Sequence, residues 1–178
     1  MPSNFINMKT FYFNDDQFEI QNITHTRKIV RAILFNSKNE IALIRIKGDD
    51  IFGHRDYYET PGGGVNKNET RLNALRRELL EEVGVEIKNI KFIARVIDYY
   101  NLINRRNDNY YYLCEVSEYK EKHLEEYEKT IMEKVEWINI AEAYHTFNSV
   151  KNTPIANLVK QRELPIIEIA TKLFNKVK

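Results

Sequence analysis

Three glutamates, Glu78, Glu81 and Glu82, have a spacing that suggests metal chemistry. On an α-helix, positions i, i+3 and i+4 share one face, so their carboxylates would form one patch about one helical turn tall. Like charges held this close repel each other, so the cluster adds nothing to helix stability by itself. A hard divalent cation such as Mg²⁺ or Mn²⁺ removes the repulsion, because these ions prefer carboxylate oxygens and water. Oxygen-bound Mg²⁺ most often acts on phosphate substrates, so we expect phosphate chemistry here.

Three consecutive glycines, Gly62, Gly63 and Gly64, precede this segment. Glycine adopts positive φ without steric cost and lets the backbone approach a ligand closely. The glycines lead toward a helix whose N-terminus carries free N–H groups and a partial positive charge, a suitable site for an anion. We predict that this helix covers residues 69–83, with Asn68 as its N-cap and Gly84 as its stop. Its apolar stripe is expected at Leu72, Leu75, Leu79 and Val83.

Residues 63–85 resemble the Nudix box: a glycine, five residues, a glutamate, seven residues, then Arg-Glu-aliphatic-x-Glu-Glu-x-Gly-aliphatic. The fixed positions are all filled, by Gly63, Glu69, Arg77, Glu78, Leu79, Glu81, Glu82, Gly84 and Val85. The resemblance implies an α/β fold, a Nudix-like α/β/α sandwich with a mixed central sheet. It also implies hydrolysis of a nucleoside diphosphate linked to another group, using Mg²⁺ (or Mn²⁺) and water. The alternative, a solvated helix face with Arg–Glu pairs, leaves the glycines and the spacing unexplained.

The resemblance also assigns roles to single residues. It implies that Glu78 and Glu82 are the principal metal ligands, with Glu81 and the Gly63 carbonyl contributing. Arg77 is similar to the family arginine that holds the box carboxylates in position, and Glu69 is expected to pair with it. For the general base, Glu81 is the first choice, and four glutamates of a later charged segment are the alternatives: Glu125, Glu126, Glu128 and Glu133.

Substrate-binding candidates surround the glycines. We expect Glu59 to accept hydrogen bonds from a nucleoside or sugar, together with Gly62, Gly63 and Gly64. Several tyrosines and one arginine are candidates for stacking or phosphate binding, with core packing as the competing role of the tyrosines. These are Tyr57, Tyr58, Tyr99, Tyr100 and Arg105. The four histidines have no spacing typical of a metal site, and none is assigned a role.

Bulk composition excludes several classes of protein. The 178 residues suffice for one domain with a buried core. Lys and Arg (27) almost balance Asp and Glu (26), which argues against a dedicated nucleic-acid-binding protein. A single cysteine, Cys114, excludes an internal disulfide. No apolar run is long enough to span a membrane and no signal peptide is recognisable, so a cytoplasmic location is expected.

Hydrophobic periodicity predicts mainly strands before and after the box helix. The expected strands cover residues 11–13, 18–20, 29–35, 41–47, 86–99, 110–117 and 134–138. Polar turns or loops are expected at residues 14–17, 36–39, 48–57 and 101–109, and a charged loop with a helical turn at 118–133.

Two further helices are expected. Asn139 is the predicted cap of the first, which runs through Phe147 with Ile140, Ala143, Tyr144 and Phe147 facing inward. Pro165 is expected to open the second, whose apolar stripe consists of Ile166, Ile169, Ala170, Leu173, Phe174 and Val177.

We divide the chain at residue 26. Residues 1–26 are expected to form an N-terminal extension folded as a β-hairpin, and residues 27–178 the Nudix hydrolase domain with its C-terminal helix. The extension carries six large apolar residues that need a cover, namely Phe5, Phe11, Phe13, Phe18, Ile20 and Ile23. They either pack on their own domain or build a homodimer, an arrangement common in relatives that act on nucleotide sugars.

The box predicts the reaction and leaves the substrate open. A nucleotide, a nucleotide sugar and a modified nucleoside triphosphate all remain possible substrates. The alternative is a catalytically silent Nudix-fold module that binds or regulates. The complete set of box carboxylates argues against it, because such a module would be expected to have lost one or more of them.

Overall fold

The computed structural model describes residues 9–20 and 22–175. The strands are β1 (Lys9–Phe13), β2 (His25–Phe35), β3 (Glu40–Asp50), β4 (Gly53–Glu59), β5 (Val85–Tyr100), β6 (Arg105–Tyr119) and β7 (Met132–Asn139). The helices are α1 (Arg71–Glu82), α2 (Glu126–Ile131), α3 (Ile140–Ser149) and α4 (Pro154–Asn175), with a short 3₁₀ turn at Asn101–Ile103. Phe5 and Val177, which belong to the predicted extension and final helix, lie outside the described residues.

The strands form one mixed sheet in the order β1-β5-β6-β2-β3-β4, with β7 paired to β3. The β1–β5 and β2–β6 pairs are parallel, and the β5–β6, β3–β4 and β3–β7 pairs are antiparallel. Strands β2 and β3 meet at the turn, where Phe35 pairs with Ile41, and then diverge. The glycine segment lies against β2: Val30 N donates to Gly63 O and Ala32 N to Pro61 O, both at 2.9 Å.

Helices cover both faces of this sheet, as the alternation along β2 shows. Val30, Ala32 and Leu34 pack with Leu75 and Leu79 of α1 in one buried cluster. Ile33 and Phe35, on the opposite face, belong to a second buried cluster with residues of α3 and α4, among them Phe147 and Ile166. Because successive side chains of a strand point to opposite faces, one strand contributes to both layers. The predicted α/β/α sandwich with a mixed central sheet is confirmed.

Helix α1 begins two residues later than predicted. Its N-cap is Thr70, whose side chain accepts from Asn73 N at 3.2 Å, and the prediction of Asn68 is wrong. Asn68 has φ +65°, a left-handed conformation that asparagine tolerates in a turn. At the other end Gly84 has φ +75° and donates to Leu79 O and Leu80 O at 3.1 Å, so the predicted stop is confirmed.

The predicted inward faces of α1 and α3 each contain one error. Leu72 is 46% exposed and Ala74 is buried instead, which moves the buried stripe of α1 toward Glu78 and Glu82. In α3, Asn139 caps the helix by accepting from Ala141 N at 2.9 Å, as predicted. Tyr144, however, is 45% exposed.

The final helix is longer than predicted. It begins at Pro154, and Pro165 lies inside it. The rule that proline suits the first helical position therefore applies to Pro154, where a missing N–H costs nothing. Two buried charged residues, Arg162 and Glu163, interrupt the apolar pattern. Hydrophobic periodicity therefore did not predict the first half of the helix.

Two predicted loops and the predicted N-terminal hairpin also differ from the structure. The expected loop at 48–57 is largely the β3–β4 hairpin, and the expected loop at 101–109 becomes strand from Arg105 onward. Residues 14–20 contain no strand, so the expected N-terminal hairpin is not formed in the described residues. Strand β1 pairs with the edge of β5 instead. The domain boundary at residue 26 stays a prediction. No helix among residues 9–20 and 22–175 is both long and apolar enough to cross a membrane.

Candidate active site

A cleft of about 500 Å³ opens where β2 and β3 diverge. Its wall includes the glycine segment, the box face of α1, strand β4, the adjoining ends of β5 and β6, and helix α2. All three glycines line it. The cleft is large enough for a small organic ligand.

Three carboxylates from two helices meet in this cleft. Glu78 and Glu82 of α1 and Glu128 of α2 each offer one oxygen, and these oxygens lie within 4.8 Å of one another. Glu78 and Glu82 are only 6% and 7% exposed. Burial raises the pKa of both groups, and the neighbouring carboxylates raise it further. Without a cation, burial and mutual repulsion therefore disfavour ionisation of these carboxylates, and a bound cation would favour it.

The glycine segment is shaped around these carboxylates. Gly62 N donates to Glu82 Oε2 at 2.7 Å. A Cβ on Gly63 would lie 2.4 Å from Glu78 Oε2, so only glycine lets that carboxylate lie against the backbone. Gly62 has φ +138°, and a Cβ there would lie 2.1 Å from Val30 O. An all-oxygen donor set whose own repulsion needs compensation fits a hard divalent cation. The Gly63 carbonyl, an expected ligand, accepts from Val30 N at 2.9 Å.

Arg77 joins the box carboxylates to the glycine segment. Its Nε and Nη2 donate to the two oxygens of Glu69, both at 3.0 Å. Its Nη1 donates to Glu78 Oε1 at 2.7 Å and to Glu81 Oε2 at 3.0 Å, and Nη2 also donates to Gly64 O at 2.8 Å. The Arg77 hydrogen bonds lower the pKa of Glu69. The structure thus brings Glu81 to Arg77, whereas Glu128 occupies the place beside Glu78 and Glu82.

The four glutamates proposed as alternative bases lie in different surroundings. Glu125 lines the cleft, and its backbone N donates to Glu128 Oε2 at 2.8 Å within a capping box that fixes the start of α2. Glu126 is exposed and pairs with Lys129. Glu133 pairs with Lys47 at 3.5 Å, away from the cluster.

The tyrosine candidates divide by strand alternation. Tyr57 and Tyr100 line the cleft, and Tyr58 and Tyr99 are not part of its lining. The Tyr58 hydroxyl donates to Glu136 Oε1 and accepts from Arg45 Nη1, both at 2.9 Å. Tyr58, the expected substrate-binding tyrosine of this strand, is thus turned away from the cleft, because the pairing of β4 with β3 points Tyr57 into it instead.

Glu59 lies in a buried network of charged residues. Arg31 Nη1 lies 3.3 Å and Arg162 Nη2 3.1 Å from Glu59 Oε2, and Arg162 also donates to Glu163 and to the Tyr100 hydroxyl. Burial by itself would raise the pKa of Glu59, but the two arginines outweigh it and hold that pKa below its usual value. Sequence reasoning missed Arg31, Arg162 and Glu163. The signal that could have found them is a charged residue among the apolar residues of an element, Arg31 in β2 and Arg162 and Glu163 in α4.

Two arginines of the cleft lining, Arg27 and Arg105, form no ion pair among the described residues. The Arg105 guanidinium lies 5.2 Å from the centre of the Tyr100 ring. Burial lowers the pKa of Arg105, as expected for a desolvated cation without a carboxylate partner. The cleft therefore combines clustered carboxylates with cations available to an anionic ligand.

Comparison with known proteins matches residues 25–158 to the NUDIX domain family. An RNA pyrophosphohydrolase of Hydrogenovibrio crunogenus is 37% identical over 62 residues, covering 33% of this chain and 38% of the relative. An 8-oxo-dGTP diphosphatase of Buchnera aphidicola is 47% identical over 42 residues, covering 24% of this chain and 34% of the relative. This chain thus matches about a third of the length of either curated relative.

Solved structures show the same fold. A NUDIX hydrolase from Nitrosomonas europaea has a TM-score of 0.62 at 15% identity, covering 83% of this chain and 91% of the other. A MutT NUDIX hydrolase from Burkholderia pseudomallei has a TM-score of 0.54 at 20% identity, covering 74% of this chain and 95% of the other.

Proposed function

The chain belongs to the NUDIX domain family, and from that premise we propose that it is a metal-dependent pyrophosphohydrolase. Its substrate is a nucleoside diphosphate linked to a further group, and water attacks phosphorus to break a phosphoanhydride bond. The observation that carries the proposal is the meeting of Glu78, Glu82 and Glu128 in the cleft, with ligand oxygens within 4.8 Å of one another.

Glu78 and Glu82 are the proposed principal ligands of Mg²⁺ or Mn²⁺, and Glu128 is the proposed third. The Gly63 carbonyl stays a candidate, because a carbonyl oxygen that accepts one hydrogen bond keeps a second lone pair. When bound, a divalent cation would activate water and neutralise the charge that develops on phosphate oxygens.

The proposed role of Arg77 is to hold the box carboxylates in position. Arg77 holds Glu78 and Glu81 through one guanidinium nitrogen and Glu69 through two others.

Two carboxylates remain as proposed bases for the attacking water. Glu81 is the first choice from the box, although one of its oxygens accepts a hydrogen bond from Arg77. Glu128 is favoured by its position in the carboxylate cluster.

The rest of the cleft is the proposed substrate site. Glu59, Gly62, Gly63 and Gly64 line it together with Arg105 and with Tyr57, which replaces Tyr58 as the proposed tyrosine. The curated relatives are named an RNA pyrophosphohydrolase and an 8-oxo-dGTP diphosphatase. We therefore place 5′-triphosphorylated RNA ends and modified nucleoside triphosphates beside nucleotide sugars among the compounds to be tested.

A hydrolysis screen tests this function. The protein is incubated with Mg²⁺ or Mn²⁺ and each compound class, and release of phosphate, pyrophosphate and nucleoside monophosphate is measured separately. At least one class should yield products of phosphoanhydride cleavage, and the Glu82→Gln variant should form them at least about 10²-fold more slowly. If the unaltered protein and the Glu82→Gln variant bind a compound equally well and neither hydrolyses it, the result would support the silent binding module instead.

A homodimer is a separate proposal. Among the described residues of the N-terminal segment, Tyr12 on the edge strand β1 is 70% exposed and Ile20 is 79% exposed, so both can contact a second subunit. Phe11, Phe13 and Phe18 already pack against the core of their own chain, which supports the competing arrangement. Light scattering on the full chain at micromolar concentration decides between them, since a monomer excludes the dimer.

A further inference from the structure

The sheet face that carries α1 is only partly covered by that helix. Arg71, the first residue of α1, lies over the Tyr110 ring at 4.2 Å, and Tyr110 is the register partner of Val30 in the buried cluster. Because side chains alternate along a strand, the register shows which residues share this face beyond Tyr110. They are Tyr12 of β1, Ile97 and Tyr99 of β5, Arg106 and Asp108 of β6, and Thr26 and Lys28 of β2. Together with Arg71, Arg95 and Tyr110 at their border, they form what we name the open face.

The open face is accessible to solvent. The Tyr12 side chain is 70% exposed, and Lys28 and Arg71 are exposed as well. Tyr99 and Arg106 are half-buried, so part of each side chain reaches the surface. Exposed aromatic groups rimmed by polar residues mark surfaces that contact a partner. The open face is therefore a candidate binding surface outside the cleft.

Positive charge dominates the open face. It carries four cations and one carboxylate, namely Lys28, Arg71, Arg95 and Arg106 against Asp108. Arg95 neutralises Asp108, because its Nε and Nη2 donate to the two carboxylate oxygens at 2.6 and 2.5 Å. The other three cations form no ion pair within the described residues, and the buried Nε of Arg106 has no hydrogen bond there. Three cations thus remain available to an anionic partner.

The positive charge continues around the end of the sheet to the cleft. Arg27 precedes Lys28 on β2, and Arg105 precedes Arg106 on the adjacent strand β6. Because side chains alternate, Arg27 and Arg105 face the other side, where both line the cleft. Arg27 lies beside the glycine segment, since a Cβ on Gly64 would be 3.1 Å from its Nε. The net charge of +1 for the whole chain therefore conceals a local excess of positive charge, as expected of a nucleic-acid-binding surface.

Two aromatic rings distinguish this surface from a plain cationic patch. Tyr12 and Tyr99 lie on adjacent strands, with Tyr99 two residues beyond the register partner of Tyr12. The third ring, Tyr110, is already occupied, because Arg71 lies 4.2 Å and Arg95 5.5 Å from its centre. Rings on an open sheet serve as platforms on which unpaired bases stack. A duplex keeps its base faces inside the helix, and an anionic membrane has no flat rings to stack.

We propose that the open face binds a single-stranded nucleic acid, with its phosphates at Lys28, Arg71 and Arg106 and its bases on Tyr12 and Tyr99. A positively charged track combined with aromatic platforms is the arrangement that binds single strands with little sequence preference. All five residues lie outside the lining of the cleft. The inference thus goes beyond the proposed function and does not depend on hydrolysis.

Binding of an unreactive RNA tests the charge. A labelled single-stranded RNA of about 12 nucleotides with a 5′-hydroxyl end is followed by fluorescence anisotropy at low salt. The logarithm of the binding constant should fall with the logarithm of the salt concentration, with a slope of about −0.7 for each phosphate contact. Lys28→Gln combined with Arg106→Gln should flatten that slope by about 0.7 for each cation removed.

A matched double variant controls for net charge. Lys38→Gln combined with Lys151→Gln removes two exposed cations, one at the other end of β2 and one after α3, and should leave affinity and slope unchanged. The proposal is overturned if the RNA does not bind at low salt, or if the two double variants bind it equally well. Because this RNA has no phosphoanhydride bond, failure of the hydrolysis screen would contradict the proposed function alone.

Substitution of Tyr12 tests base stacking. Tyr12→Ala should weaken RNA binding by about fivefold or more, since one stacked base is worth about 1 to 3 kcal/mol. Tyr12→Phe keeps the ring and should bind as the unaltered protein does. Tyr144→Ala, which alters a 45% exposed ring on α3, is the control and should have no effect. Unchanged binding by Tyr12→Ala would overturn the proposal, even if the variant also dissociates a dimer.

Two other ligands and a stability measurement complete the test. A duplex RNA of the same sequence and vesicles containing phosphatidylserine should both bind more weakly than the single strand. If either binds more tightly, and loses that binding with Lys28→Gln and Arg106→Gln, the open face belongs to a duplex or a membrane and the proposal fails. The altered side chains are exposed or half-buried, so the Tm of each variant should stay close to that of the unaltered protein. Loss of RNA affinity only in variants with a clearly lowered Tm would contradict a direct contact.

Discussion

The carboxylate of Glu163 on α4 accepts a hydrogen bond from the Thr60 hydroxyl at 2.9 Å, across 103 residues of sequence. This contact joins the last helix to the residue that precedes Pro61 and the glycines. Glu163 also pairs with Arg162 at 3.0 Å, and Arg162 reaches Glu59 at 3.1 Å. The position of the glycine segment against β2 is thus tied to α4 through buried charges.

Removing the charge of Glu163 should therefore destabilise the protein. Glu163→Gln keeps the size of the side chain but leaves Arg162 and Arg31 with one carboxylate, Glu59, between them. Breaking one partner of a buried ion pair costs about 3 kcal/mol or more. Denaturant unfolding measures the change, and Glu168→Gln, on an exposed position of the same helix, is the control. Equal unfolding midpoints for the two variants would contradict the structural role of Glu163.

Metal removal should abolish activity and lower stability. Burial and mutual repulsion of Glu78 and Glu82 disfavour the charged folded site, and a divalent cation compensates both. We expect turnover to stop in EDTA, and Mg²⁺ to raise the Tm in proportion to the logarithm of its concentration once the site is near saturation. Turnover at full rate in metal-free buffer would contradict the metal mechanism.

Glu82→Gln should separate catalysis from stability. Loss of one ligand charge should reduce kcat by at least about 10²-fold, as for removal of one electrostatic contact to the transition state. In EDTA at neutral pH the variant should be more stable than the unaltered protein, because the Glu82 carboxyl ionises freely in the unfolded chain while burial disfavours its ionisation in the folded one. A near-normal rate would remove Glu82 from the site.

The stability gain of Glu82→Gln should depend on pH. The folded-state pKa of Glu82 lies above its ordinary value of 4.5, since burial disfavours the carboxylate. A raised carboxyl pKa means that the unaltered protein loses stability as the pH rises from about 4.5 through that folded value. The difference in Tm between variant and unaltered protein, both in EDTA, should therefore shrink as the pH falls toward 4.5. A constant difference would show that repacking, and not charge, causes it.

Substitution of two glutamates of α2, Glu128 and Glu126, should affect kcat very differently. Glu128→Gln removes a carboxylate of the cluster and should reduce kcat by at least about 10-fold, within the range for a general base or an electrostatic contact. Glu126→Gln, which alters an exposed side chain paired with Lys129, should leave kcat within about twofold. If Glu81→Gln abolishes turnover and Glu128→Gln does not, Glu81 is the base and Glu128 is dispensable.

The N-terminal segment should contribute to stability within one chain. Asn101 donates to Asp15 and Phe18 carbonyl oxygens at 2.9 Å, and its backbone N donates to Asp15 Oδ2 at the same distance. A chain beginning at Thr26 loses these contacts and the packing of Phe18, so its Tm should fall. Light scattering on both chains reads the oligomeric state at the same time. An unchanged Tm together with loss of a dimer would show that the segment serves assembly alone.

Sequence alone determined those features whose partners lie within a few residues. The spacing of Glu78 and Glu82 places them on one face of a helix whatever it packs against, and the same holds for the Arg77–Glu81 pair. Gly84 and Asn139 act on the backbone of their own helix ends, so both were predicted correctly. Alternation and periodicity likewise predicted most strands, and the resemblance to the Nudix box implied the layered fold.

Only the tertiary structure decided which distant groups meet these local features. Glu128 joins Glu78 and Glu82 because α2 packs across the cleft, and nothing in its neighbouring residues separates it from Glu126. The pairing of β4 with β3 turns Tyr57 and not Tyr58 toward the cleft. Glu163 owes its role to burial, which makes its ion pair with Arg162 costly to break. Burial depends on contacts between segments far apart in sequence, and a local pattern does not contain them.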